Sequence, residues 1–375
     1  MATTQNPGRQ TRTRAGAAHG QAAGTHRPAG LVRPGIGAGS LPTVEIDDRT
    51  FADFVNSACP SCGEYSDLLP EDREWLKKAR KAIVEELGED SVEIASLEFL
   101  MELGRIATFN TEIQTAADLV AAVDRMTDAE ILEVLFAELK TSVDFGDLSR
   151  RALEGDQAAW EELKDQLNRH KGTPVVTGEL ADLPKASRSA IHAWLSKYQE
   201  VEGRVARMLA RDASSRSTDE ARTDPLGFVE RTTNGIRVTP ERQLRTVHLI
   251  GSYFGRPYNS VGRIGDTMVI TYPIADAALG PSNRMNVPAS TVRLYRALGD
   301  ETRLRILRLL AEQDRYLTEL ANELELSKPT ISHHLAQLRS AGLVTVVEEG
   351  NLTFYSLRRD RISEAGPELG AFLAQ

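Results

Sequence analysis

The chain has 375 residues, 41% of them hydrophobic and 26% charged, which gives it room for two or three domains and a sizeable core and argues against a disordered polymer. No apolar run approaches the length of a membrane span and the first residues hold no continuous hydrophobic stretch, so neither a membrane protein nor a secreted one is indicated, and a cytoplasmic location is expected. The formal net charge is −9, with the acidic excess mainly mid-chain, so a nucleic-acid partner would have to meet a local surface turned away from that acidic body.

Residues 1–44 carry Arg9, Arg12, Arg14, Arg27 and Arg33 and no acid, the first being Glu45. Embedded in Gly, Ala, Pro and Thr, they read as a disordered basic tail, either solvated or adding non-specific attraction to DNA.

Residues 45–222 are mostly helical in pattern. EDREWLKKARKAIVEEL, SLEFLMELGRIATF, AADLVAAVDRM, TDAEILEVLFAELKT, DQAAWEELKDQL and SAIHAWLSKYQEVEGRVARMLAR are successive amphipathic segments, and Thr127 with Glu130 forms a capping box ahead of Ile131, Leu132 and Leu135. A helical regulatory domain is expected. Within it, Cys59 and Cys62 form the only cysteine pair, as a CxxC turn. Such a pair can be incidental, can be redox-active, or can supply two thiolates to zinc, which would need two further ligands such as His170, His192 or His248.

In residues 223–285 the period changes. GFVERTTNGIRVT places Asn234 and Gly235 between strand-like arms, and RTVHLIGSYF and DTMVITYPI are further β-rich runs, so a small antiparallel sheet ending near Pro281 is expected. Phe254, Tyr258 and Tyr272, beside Arg256 and Arg263, can line a pocket or a domain interface, or simply pack.

Residues 286–375 are the most specific part. In LGDETRLRILRLLAE, Asp300 is an N-cap and Leu304, Ile306, Leu307 and Leu310 form an apolar stripe. In YLTELANELEL, Thr318 can cap a short helix that buries Leu317, Leu320, Ala321 and Leu324. SKPTISHHLAQLRSAGLV then has Ser327 as N-cap, Pro329 in the first turn and Gly342 as the C′ residue. Ile331, Leu335 and Leu338 share one inward face of this third helix. The outward face carries Pro329, Thr330, His333 and Gln337, flanked by Lys328, Ser332, His334 and Arg339, and no acid occurs from Ser327 to Val347. These groups suit base edges, while Lys328 and the N-terminal amides suit phosphates. VTVVEEGNLTFYSL supplies two strand-like arms around an acidic tip, Glu348, Glu349, Gly350 and Asn351, of which Asn351 is the groove-facing candidate. The expected fold class is α+β: a mostly helical N-terminal region with a small antiparallel sheet, then a winged helix-turn-helix.

The runs LYRALGDETRLRILRLL and LTELANELELSKPTISHHLAQLRSAGLV, with a hairpin ending in YSL, resemble the ArsR/SmtB-type winged-helix regulators over roughly the last quarter of the chain. The resemblance implies a homodimer, built from the helix before Leu298 and the helix after Asp360, that places Ser327 to Arg339 in the major groove of a double-stranded DNA operator and represses transcription until a signal arrives. The family's metal sensors carry paired cysteines in the helix before the recognition helix, or acid and His ligands in the last helix. TELANEL has no cysteine and SEAGPELGAFLAQ no histidine, so no cofactor or metal is expected in this domain.

No dinucleotide fingerprint, P-loop, HExxH or GxSxG occurs, and no catalytic residue is named. The reading is a DNA-binding regulator whose residues 45–285 receive a small-molecule or protein signal. The alternatives are a thiol-redox regulator working through Cys59 and Cys62, and an enzyme fused to a DNA-binding end.

Overall fold

The structure, a computed structural model, describes residues 41–58, 67–88, 103–104, 107–135, 143–169, 179–216, 218–239, 243–280, 287–349 and 352–374. Cys59, Cys62 and Asn351, and the basic tail up to position 40, lie outside the described residues.

The N-terminal body begins with strand β1 (Thr43–Asp47), followed by helices α1 (Thr50–Ala58), α2 (Pro70–Leu87), α3 (Ala116–Asp124), α4 (Asp128–Leu135), α5 (Val143–Leu153), α6 (Gln157–Arg169) and α7 (Leu183–Ser215). Two short helices, α8 (Thr218–Thr223) and α9 (Pro225–Thr232), lead into β2 (Thr246–Ser252), β3 (Ser260–Ile264) and β4 (Thr267–Pro273). The capping box at Thr127 and Glu130 is present: the Thr127 N–H donates to Glu130 Oε2 at 2.7 Å and the Glu130 N–H to Thr127 Oγ1 at 3.3 Å.

The sheet is not purely antiparallel. Its order is β1-β2-β4-β3, with β1 and β4 both parallel to β2 and only β3 antiparallel to β4. Two things make it mixed. β4 lies between β2 and β3, so the β3–β4 hairpin brings β4 back parallel to β2. β1 adds a second parallel neighbour, pairing Thr43 with Thr246 across some two hundred residues, a partner no local pattern reveals.

Nor do Asn234 and Gly235 join two strands. The Phe228 N–H donates to the Asp224 carbonyl, the Gly227 N–H donates to the Asp224 carboxylate, and Pro225, Phe228, Val229 and Thr232 are buried at helical spacing, so GFVERT lies within the helix α9. Asn234 (φ 55°) is its left-handed C′ residue: its N–H donates to the Arg231 carbonyl at 3.3 Å and that of Gly235 to Glu230 at 2.8 Å, a Schellman cap. Hairpin turns and helix caps both use Asn-Gly because both need positive φ.

Helix α7, 33 residues long, organises the body. Ile191, Trp194, Tyr198, Val201, Val205 and Met208 recur at alternating three- and four-residue spacing and are all buried against α1 and the sheet. One continuous core runs from Phe51 to Ala278 and joins helices and sheet. Phe254 and Tyr272 belong to it: Phe254 packs on Trp75, Tyr198 and Tyr253, and Tyr272 donates its hydroxyl to Asp212 at 2.9 Å. Arg256 is buried too, paired with Asp276.

The C-terminal unit comprises α10 (Ala289–Leu298), α11 (Glu301–Glu312), β5 (Arg315–Tyr316), α12 (Leu317–Glu323), α13 (Lys328–Ser340), β6 (Val344–Glu349), β7 (Leu352–Leu357) and α14 (Arg359–Leu373). Its antiparallel sheet has the order β5-β7-β6. Its core is separate, built from Leu294, Ile306, Leu307, Leu310, Leu320, Ile331, Leu335, Leu338 and Leu343 among others. Leu304 is not part of the α11 stripe; it is 49% exposed, because at 3.6 residues per turn it points roughly 110° away from the face that Ile306, Leu307 and Leu310 share. The fold is therefore α+β, with helices dominant and the sheets small.

Candidate nucleic-acid interface

Helices α12 and α13 form the helix-turn-helix. Helix α12 starts two residues earlier than a Thr318 cap requires: its N-cap is Tyr316, whose N–H donates to Glu319 Oε2 at 2.9 Å, and Thr318 lies inside the helix. The pair β5 and β7 holds Tyr316 extended, and its ring stacks on Phe354 at 3.8 Å between centroids, which sets where the helix begins. The helix ends in a Schellman cap with Glu325 at φ 55°, an N–H from Leu326 reaching the Ala321 carbonyl at 3.0 Å. That left-handed residue turns the chain toward α13.

At the start of α13, Ser327 Oγ accepts from the Thr330 N–H at 3.3 Å and lies 2.7 Å from the Thr330 hydroxyl. Pro329 occupies the first turn, where its missing N–H leaves no bond unmade. Ile331, Leu335 and Leu338 are buried as their spacing requires, and each anchors the helix by roughly 1.5 to 3 kcal/mol of apolar transfer. The opposite face is open: Ser327, Lys328, Pro329, Thr330, Ser332, His333 and Arg339 are exposed, and Gln337 is half-buried. At the other end the Gly342 and Leu343 N–H groups close a second Schellman cap on Arg339 and Leu338, with Gly342 at φ +70°.

His334 is placed differently from its neighbour. Its side chain is half-buried, with Nδ1 3.7 Å from Asp300 Oδ1. Asp300 caps α11, accepting from the Arg303 N–H at 2.9 Å, and that bond, with the nearby Arg303 and His334, holds its carboxyl below the usual range. The structure thus brings His333 outward with Thr330 and turns His334 toward the support helix.

Behind the helix pair, α10 and α14 lie side by side, joined by the Tyr295 hydroxyl, which donates to the Ala365 carbonyl at 2.8 Å. Tyr295, Ile362 and Leu373 are exposed apolar residues on these helices, with Val292, Leu298, Leu369 and Phe372 half-buried beside them. The residues at the family's metal positions do not fit a cation: α12 presents Thr318, Glu319 and Asn322, and in α14 Glu364 and Glu368 are both paired with Arg361. Among the described residues no group of three or more His, Cys, Asp or Glu side chains is arranged to hold a metal ion, and no helix is long and apolar enough to cross a membrane.

Three helices in this order, a capped polar helix facing outward and a β-hairpin behind it define a winged helix-turn-helix. The sequence model for the bacterial regulatory protein, arsR family, matches residues 300–346. Over 72 residues the chain is 44% identical to an uncharacterized HTH-type transcriptional regulator of Methanocaldococcus jannaschii, covering 19% of this chain and 81% of that protein. It is 36% identical to the HTH-type transcriptional regulator KmtR of Mycobacterium tuberculosis, covering 20% and 56% of the two chains. It is 42% identical to the transcriptional activator HlyU of Vibrio cholerae, covering 18% and 64%. Through this C-terminal domain the chain belongs to the arsR family of bacterial regulatory proteins. It spans less than two thirds of the length of KmtR and HlyU, and none of these matches reaches most of its own length.

Proposed function

We propose that the chain is a dimeric, sequence-specific regulator of transcription, acting as a repressor, whose N-terminal body receives a small-molecule or protein signal. The observation that carries the reading is the outward face of α13: Lys328, Thr330, Ser332, His333 and Arg339 exposed together, with no acidic side chain from Ser327 to Val347. Helix N-terminal amides and Lys328 supply phosphate contacts, and Thr330, His333 and Gln337 supply donors and acceptors for base edges. His334 and Arg339 flank this set. The acidic tip at Glu348 and Glu349 adds no phosphate attraction, so the helix carries the affinity and Asn351 is the wing's groove contact.

The dimer reading draws support from Tyr295, Ile362 and Leu373, apolar side chains that α10 and α14 leave exposed on a small domain and that a two-fold partner would cover. No residue is assigned a catalytic role. The location that goes with this function is the cytoplasm.

The test is selection of duplexes from a random pool by the full chain, followed by titration of the enriched duplex and a scrambled one. The parent should prefer the enriched duplex by at least about a thousandfold, typical of specific readers. Equal affinity for both would sink the assignment.

A further inference from the structure

The main core of the N-terminal body and that of the winged helix are separate, and among the described residues polar contacts link the two. Asp67 pairs with Arg293 of α10, whose Nε also donates to the Ser340 carbonyl at the end of α13 at 2.7 Å. Asp276 accepts from the Ser290 N–H at 3.1 Å and from its hydroxyl at 2.6 Å, so a carboxylate of the body caps the first helix of the DNA-binding unit. The third junction is Asn234. Its Oδ1 accepts from Arg358 Nη1 at 3.1 Å, while its side chain fills the space beside Gly342 so closely that a Cβ on Gly342 would collide with it.

Asn234 therefore touches two caps at once. Gly342 ends the recognition helix α13, and Arg358 is the N-cap position of α14, its N–H donating to the Leu343 carbonyl at 3.0 Å. Next to it, Gly235 approaches the wing root so nearly that a Cβ there would stand 3.2 Å from Arg358 Cδ and 3.3 Å from Thr345 Cγ2. Ile236 then forms a parallel bridge with Val346, on the edge of the wing sheet that β7 does not occupy. Interfaces of this polar kind between independently cored units are joints that open at modest cost, whereas either core moves as a block.

We propose that Asn234 is the coupling residue of this regulator: as the left-handed cap of α9 it holds the end of the recognition helix to the start of α14, so that movement of the N-terminal body re-aims α13. The inference rests on the DNA-reading function above. The chemistry suits a switch, because the contact is one amide carbonyl and one guanidinium, backed by a single strand bridge, and a body that shifts by a side-chain length breaks all of it. Helix α9 and the Asn259 side chain, which donates to the Thr233 carbonyl at 2.8 Å, tie Asn234 to the segment between β2 and β3, so a ligand or partner that moves that segment reaches the recognition helix directly.

The test uses the full chain and two variants. Asn234→Gly keeps the left-handed backbone and removes the side chain; Asn234→Asp keeps an acceptor for Arg358. Hydrogen exchange read by mass spectrometry should be at least about fivefold faster in N234G for peptides covering 344–347 and 357–361, and parent-like in N234D. Peptides covering 306–310 and 247–251 serve as controls and should not change in either. On the enriched duplex, N234G should bind at least about threefold more weakly and N234D like the parent. Unchanged exchange at the wing root, or unchanged or tighter DNA binding by N234G, overturns the proposal. Accelerated exchange in the control peptides also overturns it, since Asn234 would then be supporting the fold at large. If the parent enriches no duplex, the DNA-reading assignment fails, and the exchange ratios alone decide whether Asn234 restrains the wing.

Discussion

The Tyr253 N–H donates to Asp53 Oδ1 at 2.6 Å inside the core of the N-terminal body, where the carboxylate has no solvent contact. The same oxygen accepts from the Phe254 N–H at 2.9 Å and the Ser252 hydroxyl at 2.6 Å. Burial pushes the Asp53 carboxyl up to about 6, against the pull of these bonds.

A pH dependence follows. The folded state binds this proton more tightly than the unfolded chain, whose Asp titrates near 4, so between pH 4 and 6 the group's contribution to stability falls as pH rises, by on the order of 3 kcal/mol in total. Above pH 6 the cost of the buried charge is fully present. The stability difference between Asp53→Asn and the parent should therefore shift in favour of the variant as pH rises from 4 to 7, measured by urea unfolding. A difference independent of pH would show that Asp53 titrates normally.

Asp47 acts in the opposite sense. Burial works against its ionisation, but bonds from His248 at 3.0 Å and from Arg49 outweigh it and bring it down to about 2. Its stabilisation is present above pH 4 and is lost as pH falls through 2, so Asp47→Asn should destabilise the parent at pH 7 and become progressively neutral below pH 3. Acid unfolding curves of the two proteins should converge at the low end.

On the recognition helix, Thr330→Ala, His333→Ala and Gln337→Ala should each reduce discrimination between enriched and scrambled duplex by on the order of 1 to 3 kcal/mol. Lys328→Ala should weaken both duplexes alike and lower the salt slope by about one. Titrations at several salt concentrations separate the two behaviours.

Glu325, at φ 55°, holds a conformation that costs a residue with a Cβ roughly 1 kcal/mol. Asn tolerates it better, so Glu325→Asn should raise stability by about 0.5 kcal/mol or more without altering DNA affinity. Gly342→Ala should do the reverse, since it combines φ +70° with a collision against Asn234; a loss above about 1 kcal/mol is expected in thermal unfolding.

For assembly, Tyr295→Glu combined with Ile362→Glu should convert a dimer to a monomer in light scattering at micromolar concentration, with helical content retained. A parent that is already monomeric and still binds a full site tightly would contradict the two-fold reading.

The C-terminal domain was legible in the sequence because its determinants are local. Ser327, Pro329 and Gly342 act within a turn of themselves, and Ile331, Leu335 and Leu338 share a face by spacing alone. Local rules fell short where two structures use one signal or where a distant segment decides. Asn234-Gly235 needs positive φ in a hairpin and in a helix cap alike, and only the packing of Phe228 and Val229 chose the cap. The sheet is mixed because β4 lies between β2 and β3 and runs parallel to β2, and because β1, nearly two hundred residues upstream, adds a second parallel neighbour to β2. His334 reads like its neighbour His333 until the fold sets Asp300 beside it. The coupling of Asn234 to Gly342 and Arg358 joins residues more than a hundred positions apart through one amide, and no periodicity records such a contact; it exists only once two separately cored units have docked.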